Sequence, residues 1–242
     1  MSSLLESGRV MILIPAYNEE ESIAFVVQEL QRMYPQTPVL VVNDASVDST
    51  AHYAEANGAR VLNLPYHLGL GGGLQAGYRL AFETGFDFVV RLDGDGQHDP
   101  RYVPALLEAV AAPGIQMAIG SRFTEGGEGR TSLIRSAGIA LFRALLRPIL
   151  GRPVRDPTSG FVAVNREALE VFSKSFPLEY PEIEALVVLR RRAFQFVEVP
   201  VTMRPRLGGR STITPLKSVY YILHVLIGVL VNILIFDRRK WR

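Results

Sequence analysis

Short β-rich runs alternate with helical stretches through the first half of the chain, and this alternation restricts the fold more than any other feature. Runs at 9–14, 39–43, 60–63, 86–92 and 116–120 read as strands. Between them, 19–34, 48–57, 72–83 and 101–111 carry apolar residues at helical spacing. Strands separated by one helix each can pair in parallel, because a parallel connection needs a crossover of about a dozen residues. The expected class is therefore α/β, with helices flanking a mostly parallel sheet. The second half predicts a helix over 132–150, a strand over 159–165, a helix over 182–192 and a strand ending at 197–200. The glycine- and charge-rich segments 124–130 (TEGGEGR) and 204–211 read as surface loops. Asn18 with Glu21 three positions on has the pattern of a capping box, and Gly58 sits where a helix ends.

Composition excludes several kinds of chemistry. The 242 residues contain no cysteine, so disulfides, thiolate metal sites, iron–sulfur clusters and Cys nucleophiles are out. With 48% hydrophobic and 21% charged residues, the chain is neither disordered nor fibrous. Its net charge of +2 hides an asymmetry. Residues 186–242 hold 11 basic and 2 acidic residues, a balance of +9, whereas the first 185 hold 15 and 22, a balance of −7. An acidic body with a basic end points to an anionic partner for that end. No leader is expected, since residues 1–8 are short and polar and the first apolar run stops at Pro15.

Chemistry-bearing residues gather where strands end. Directly after the run 86–90 comes Arg91-Leu92-Asp93-Gly94-Asp95-Gly96-Gln97-His98. Two carboxylates one residue apart across a glycine can converge on one hard cation, Mg²⁺ or Mn²⁺, which shares its oxygen ligands with substrate phosphates. The competing reading is an Asp-Gly surface turn. The first strand ends in Pro15-Ala16-Tyr17-Asn18-Glu19 and the second in Asn43-Asp44-Ala45-Ser46. Ligands bind beyond the carboxyl ends of strands in open α/β sheets. Asp44 suits a base or ribose, while Asn18, Ser46 and Asp48 taken singly are ordinary helix caps. For His98, a metal-adjacent ligand and simple turn polarity both stay open.

These residues, in this order, resemble family 2 glycosyltransferases of the GT-A fold, especially those that transfer sugars to polyprenyl phosphates. The resemblance runs from residue 12 to about 211, through IPAYNEE (14–20), VNDASVDST (42–50), LGLGGGLQAG (68–77), RLDGDGQHDP (91–100), GSRF (120–123), DPTSGF (156–161), EVPV (198–201) and RLGGRS (206–211). It implies a Rossmann-like, mixed, mostly parallel sheet in a catalytic domain over 1–213. Pro15, Tyr17, Glu19 and Asp44 would hold the nucleoside of a nucleotide-diphosphate sugar. Asp93 and Asp95 would hold Mg²⁺ or Mn²⁺, with Gln97 beside them. Arg122, Arg135 and Arg206 match acceptor-phosphate positions, and Arg210 is a further local candidate. Such an acceptor is already anionic and needs orienting cations rather than a base. Where the acceptor is a saccharide hydroxyl instead, Glu184 or its neighbour Glu182 would be the base. Helix-start charge is the competing role for both. A third reading is a non-catalytic subunit that binds nucleotide sugars.

The chain also departs from the pattern. Gly71-Gly72-Gly73 lacks the lysine that many relatives carry there, and Thr212 stands where many have lysine. Residues 71–76 fit the glycine fingerprint of dinucleotide binding. They follow the third strand rather than the first, so no nicotinamide cofactor is expected. No nucleic-acid partner is expected. Finally, 219–236 is an uncharged run of 18 residues, about 27 Å as a helix, followed by Asp237, Arg238, Arg239, Lys240, Trp241 and Arg242. The expected role of 214–242 is an apolar helix and basic tail lying on the cytoplasmic membrane surface. A buried helix and an oligomer seam are the alternatives.

Overall fold

The computed structural model describes residues 2–6, 8–124 and 133–207. A seven-stranded sheet in the order β3-β2-β1-β4-β6-β5-β7 organises them. Its strands are β1 (Val10–Ala16), β2 (Val39–Asn43), β3 (Arg60–Asn63), β4 (Phe88–Arg91), β5 (Met117–Ser121), β6 (Val162–Asn165) and β7 (Phe196–Pro200). β1 to β4 pair in parallel, β6 runs antiparallel to both β4 and β5, and β7 is parallel to β5. The sheet is thus mostly parallel, as the order of runs predicts, and mixed, as the resemblance implies.

Side chains alternate across the sheet with period two, and both faces are covered. From β1, Met11 and Leu13 enter one core while Val10, Ile12 and Ile14 enter the other. Leu40 and Val42 of β2 separate from Val39 and Val41 in the same way. This double burial explains why the strands read as continuous apolar runs. Against one face pack α4 (Gly69–Glu83), α6 (Leu133–Leu150), α7 (Arg166–Lys174) and α8 (Pro181–Arg191). Against the other pack α2 (Ile23–Met33), α3 (Thr50–Ala56) and α5 (Val103–Ala111), with the short α1 (Ser2–Glu6) at its margin. The glycine run lies inside α4, where it allows close packing. A Cβ on Gly71 would meet the carbonyl of Pro177 at 2.2 Å, and one on Gly77 would meet Leu13 at 2.4 Å. That segment is a helix face, not a phosphate cradle.

Three expectations need correction. The capping box at Asn18 and Glu21 does not form, and α2 starts at Ile23 behind Ser22. Asn18 instead adopts φ +54, takes a hydrogen bond from the Val47 N–H and donates its own N–H to Ser46. Its cross-strand partners outcompete the local cap. The strand read over 159–165 is shorter, because Ser159 turns to bond the Gly120 carbonyl at 2.6 Å. α1 and α7 are additional to the predicted elements. Asn165 ends β6 and caps α7 through the Ala168 N–H, so no loop separates the two. Residues 124–130 lie largely, and 208–242 wholly, outside the described residues, so Arg210 and the apolar run 219–236 do too. Among the described residues no helix is long and apolar enough to cross a membrane.

Candidate active site

The carboxyl ends of β1, β2 and β4 lie side by side. Their register sets Ala16 opposite Asn43 and Leu13 opposite Arg91, so the residues just beyond share one edge. Asp44 follows β2, and its N–H donates to the Ala16 carbonyl at 2.9 Å. Its buried carboxylate accepts from the Leu68 N–H at 2.7 Å and pairs with His67 at 2.9 Å. His67 in turn lies 4.1 Å, centroid to centroid, from the ring of Tyr17, whose side chain faces solvent. Together these form an aromatic ledge beside a fixed carboxylate, suited to a nucleoside. Pro15, next to last in β1, sits opposite Val42. Glu19 is tied to the second strand's loop through its N–H, which donates to Thr50 at 2.8 Å. Burial pushes the Glu19 carboxyl above its ordinary value. Ser22 pulls it down, and the nearby Asp95 and Asp93 add to the rise.

The loop after β4 carries the acidic pair. Asp93 keeps 36% of its side chain open, whereas Asp95 is buried. The N–H of Asp93 donates to His98 Nδ1 at 2.9 Å, which leaves the His98 proton on Nε2, 3.7 Å from the Asp93 carboxylate. The His98 ring is buried and stacks on Phe161 at 4.9 Å. Burial pushes the imidazole down, towards its neutral form. Burial opposes ionisation of Asp93, but the polar face of His98 and the charge of Arg91 reverse that and hold its carboxyl below the ordinary value. Asp95 takes the Gln97 N–H at 2.9 Å and pairs with Arg206 at 2.9 Å. Among the described residues no set of three His, Asp or Glu side chains converges as a metal cage. Two carboxylates, Asp93 beside Arg91 and Asp95 paired with Arg206, nevertheless fit Mg²⁺ or Mn²⁺. Such ions take one or two protein carboxylates and complete their shell with substrate phosphates.

A short strap lies across this loop. Arg204 N–H donates to the Gln97 carbonyl, and Leu207 N–H to the Asp95 carbonyl. Leu207 presses on Gly96, where φ is +76 and a Cβ would come within 2.4 Å of its side chain. Arg204 is pinned by Glu29 at 2.8 Å and by the buried Asp99 at 2.7 Å. The strap places Arg206 over the acidic pair.

Of the other predicted residues, Arg122 has a buried partner of its own. Arg122 directly follows β5, with both arms of its guanidinium on Asp156, at 2.7 Å each, and a third bond to Thr158 at 3.1 Å. Asp156 is wholly buried, and Glu198 accepts its N–H at 2.8 Å, so the DPTSGF and EVPV motifs hold each other. Arg135 lies in α6 with its side chain outside the described residues. Glu184 sits half-buried in the first turn of α8, but it is Glu182 whose carboxylate joins the strand-end group, through Arg91 at 2.8 Å. Sequence reasoning missed His67, Arg91, Arg204 and the Asp156–Glu198 link. Each acts through a partner distant in the chain, and only the motif strings that contain Arg91, Asp156 and Glu198 touch them.

Similarity to known proteins follows the same architecture. The chain is 34% identical over 216 residues to the undecaprenyl-phosphate mannosyltransferase of Micrococcus luteus, covering 84% of this chain and 86% of that protein. It is 32% identical to the polyprenol monophosphomannose synthase of Mycolicibacterium smegmatis, over 84% and 80% of the two chains. Among solved structures, glucosyl-3-phosphoglycerate synthase from Mycobacterium tuberculosis, in complex with Mn²⁺, UDP and glucosyl-3-phosphoglycerate, superposes with a TM-score of 0.69 at 27% identity. That match covers 94% of this chain and 82% of that one. Residues 11–172, which span the acidic pair, the ledge at Asp44 and the sheet that aligns them, match the model described as Glycosyl transferase family 2, and the chain belongs to that family.

Proposed function

We propose that this enzyme moves a sugar, mannose or glucose, from a nucleotide-diphosphate donor to a polyprenyl phosphate at the cytoplasmic membrane face, inverting the anomeric centre. The observation that carries the reading is the meeting of Asp95 and Arg206 at 2.9 Å. It sets a carboxylate pair for the donor's metal directly against an arginine for an acceptor's phosphate. The names of the two bacterial relatives support the lipid acceptor. Tyr17, His67 and Asp44 orient the nucleoside, with Pro15 and Glu19 at its border. Asp93 and Asp95, with Gln97 beside them, would hold Mg²⁺ or Mn²⁺, which would supply positive charge to the diphosphate leaving group. Arg206 steers the acceptor phosphate, joined by Arg135 and Arg210. Arg122, whose fork Asp156 occupies, keeps the wall of that subsite in place. The acceptor oxygen attacks as an anion, so no side chain has to remove a proton.

Incubation with Mn²⁺, GDP- and UDP-sugars and short polyprenyl phosphates tests this directly. Formation of a lipid-linked sugar is the expected result, abolished by a chelator and restored by Mn²⁺ or Mg²⁺. Asp95→Asn should lower kcat/KM by more than the roughly 10–100-fold typical of residues behind a metal ligand. Transfer to phosphoglyceric acid with none to lipid would overturn the lipid acceptor. Binding of donor without turnover on any acceptor would overturn the catalytic reading.

A further inference from the structure

Beneath the acidic pair lies a buried cation that the proposed reaction leaves without a role. Arg91 is the last residue of β4, only 3% exposed, and its Nη2 reaches two carboxylates at once. It donates to Glu182 at 2.8 Å and to Asp93 at 3.4 Å, while its Nε has no partner among the described residues. Burial opposes the guanidinium's charge, and Glu182 and Asp93 more than offset it. We propose that Arg91 and Glu182 are a positioning pair for Asp93. In this arrangement Glu182 fixes the guanidinium, and the guanidinium fixes the carboxylate that meets the metal. The inference rests on the reading of Asp93 as a metal ligand.

Three features support it. Glu182 stands in the first turn of α8, where the helix dipole favours a carboxylate, so its side of the pair is set by the backbone. Gly160 leaves the space the three groups need. A Cβ there would lie 3.0 Å from both Arg91 Nη2 and an Asp93 carboxylate oxygen. Asp93 then has one oxygen beside Arg91 and the other 3.7 Å from His98, yet its side chain remains partly open to solvent. Stability alone gives little reason for such a pair, because well-packed apolar side chains often replace a buried ion pair without loss. The pair also explains why Glu182 is poorly suited to act as a base. Its carboxylate is already committed to a permanent cation, which agrees with an acceptor that arrives as an anion.

Mn²⁺ titration of the full-length protein with UDP, followed by electron paramagnetic resonance, separates the possibilities when combined with thermal unfolding of the metal-free samples. Arg91→Met/Glu182→Met should retain the wild-type unfolding midpoint and bind Mn²⁺ about 10–100-fold more weakly, the usual effect of losing a group that orients a metal ligand. Wild-type Mn²⁺ affinity in that folded variant would overturn the proposal and leave the pair as mere packing. If the double variant does not fold, Arg91→Lys decides. Lysine keeps a charge for Glu182, but its flexible stem does not fix one donor between two carboxylates as the rigid guanidinium fixes Nη2, so Mn²⁺ should again bind more weakly. Unchanged affinity there would also overturn the pair. Glu182→Gln distinguishes the base role: abolished kcat with unaltered Mn²⁺ affinity would overturn positioning in favour of proton removal. Wild-type protein that binds no Mn²⁺ at all would remove the metal reading of Asp93, and this proposal with it.

Discussion

Asp44 is already paired. With the Leu68 N–H and His67 on its carboxylate, it would enter the proposed donor complex without having to be ordered first. Loss of a charge-assisted bond costs about 1.5–3 kcal/mol, so Asp44→Ala should weaken binding of the preferred nucleoside diphosphate roughly 10–100-fold by calorimetry. Tyr17→Ala should weaken it less, through loss of the ledge alone. Gly77→Ala tests packing rather than chemistry. Its Cβ would come within 2.4 Å of Leu13 in the core, and overpacking of this kind costs about 1–3 kcal/mol in denaturant unfolding. The acidic pair and Asp44 were legible in the sequence because each follows an apolar strand directly. Arg91 was not, because its partner Glu182 lies 91 positions away and nothing local marks the pairing.

Among the elements, the strap at 203–207 governs the pocket most directly. Its anchor is Arg204, held by Glu29 and Asp99, and Arg204→Ala should both destabilise the fold and weaken the hold of Arg206 on Asp95. Limited proteolysis should then cut near the strap faster than in the wild-type protein. Asp99 adds a pH signature. Burial works against its charge, but Arg101 and Arg204 outweigh that and hold the carboxyl below its ordinary value of 3.8. A depressed folded-state value means that the unfolded chain binds the proton more readily. The stabilisation is therefore complete above about pH 4–5 and is lost as the pH falls through the depressed value. Asp99→Asn should flatten the acid limb of a stability–pH curve and leave its slope near neutrality unchanged. Element boundaries were legible where glycine or proline punctuates the chain, as at Gly58. They failed at β6–α7, where Asn165 serves strand and helix alike. They failed again at α2, whose first residues are recruited by the loop after β2.

For the molecule as a whole, the separation of −7 in the first 185 residues from +9 in the last 57 predicts how the protein meets a membrane. Full-length protein should bind anionic vesicles at low salt and release from them at high salt, since exposed charge is screened over about 10 Å at 0.1 M. Replacing Arg238, Arg239 and Lys240 with serine should weaken vesicle binding, each basic residue near such a surface being worth about 1 kcal/mol. Equal binding to neutral vesicles would remove electrostatics from the account. The alternation of strands and helices made the parallel part of the sheet legible, but not its order. That β6 runs backwards between β4 and β5 depends on contacts among 156–165, 117–121 and 88–91, which no local pattern encodes.

The backward strand also decides where the gene can change length. Because β6 runs against its neighbours, the residues before it arrive at the sheet edge that carries Asp93 and Asp95. Five positions there serve two flanks, with Asp156 gripping Arg122 and Gly160 making room for Asp93. One codon gained or lost between them would put both flanks out of step together. At Gly85 and Gly114, by contrast, a side chain would meet nothing within 4 Å. Insertions, tags or fused reporters belong at those turns, and the five-residue span before β6 should remain fixed in length in every active variant.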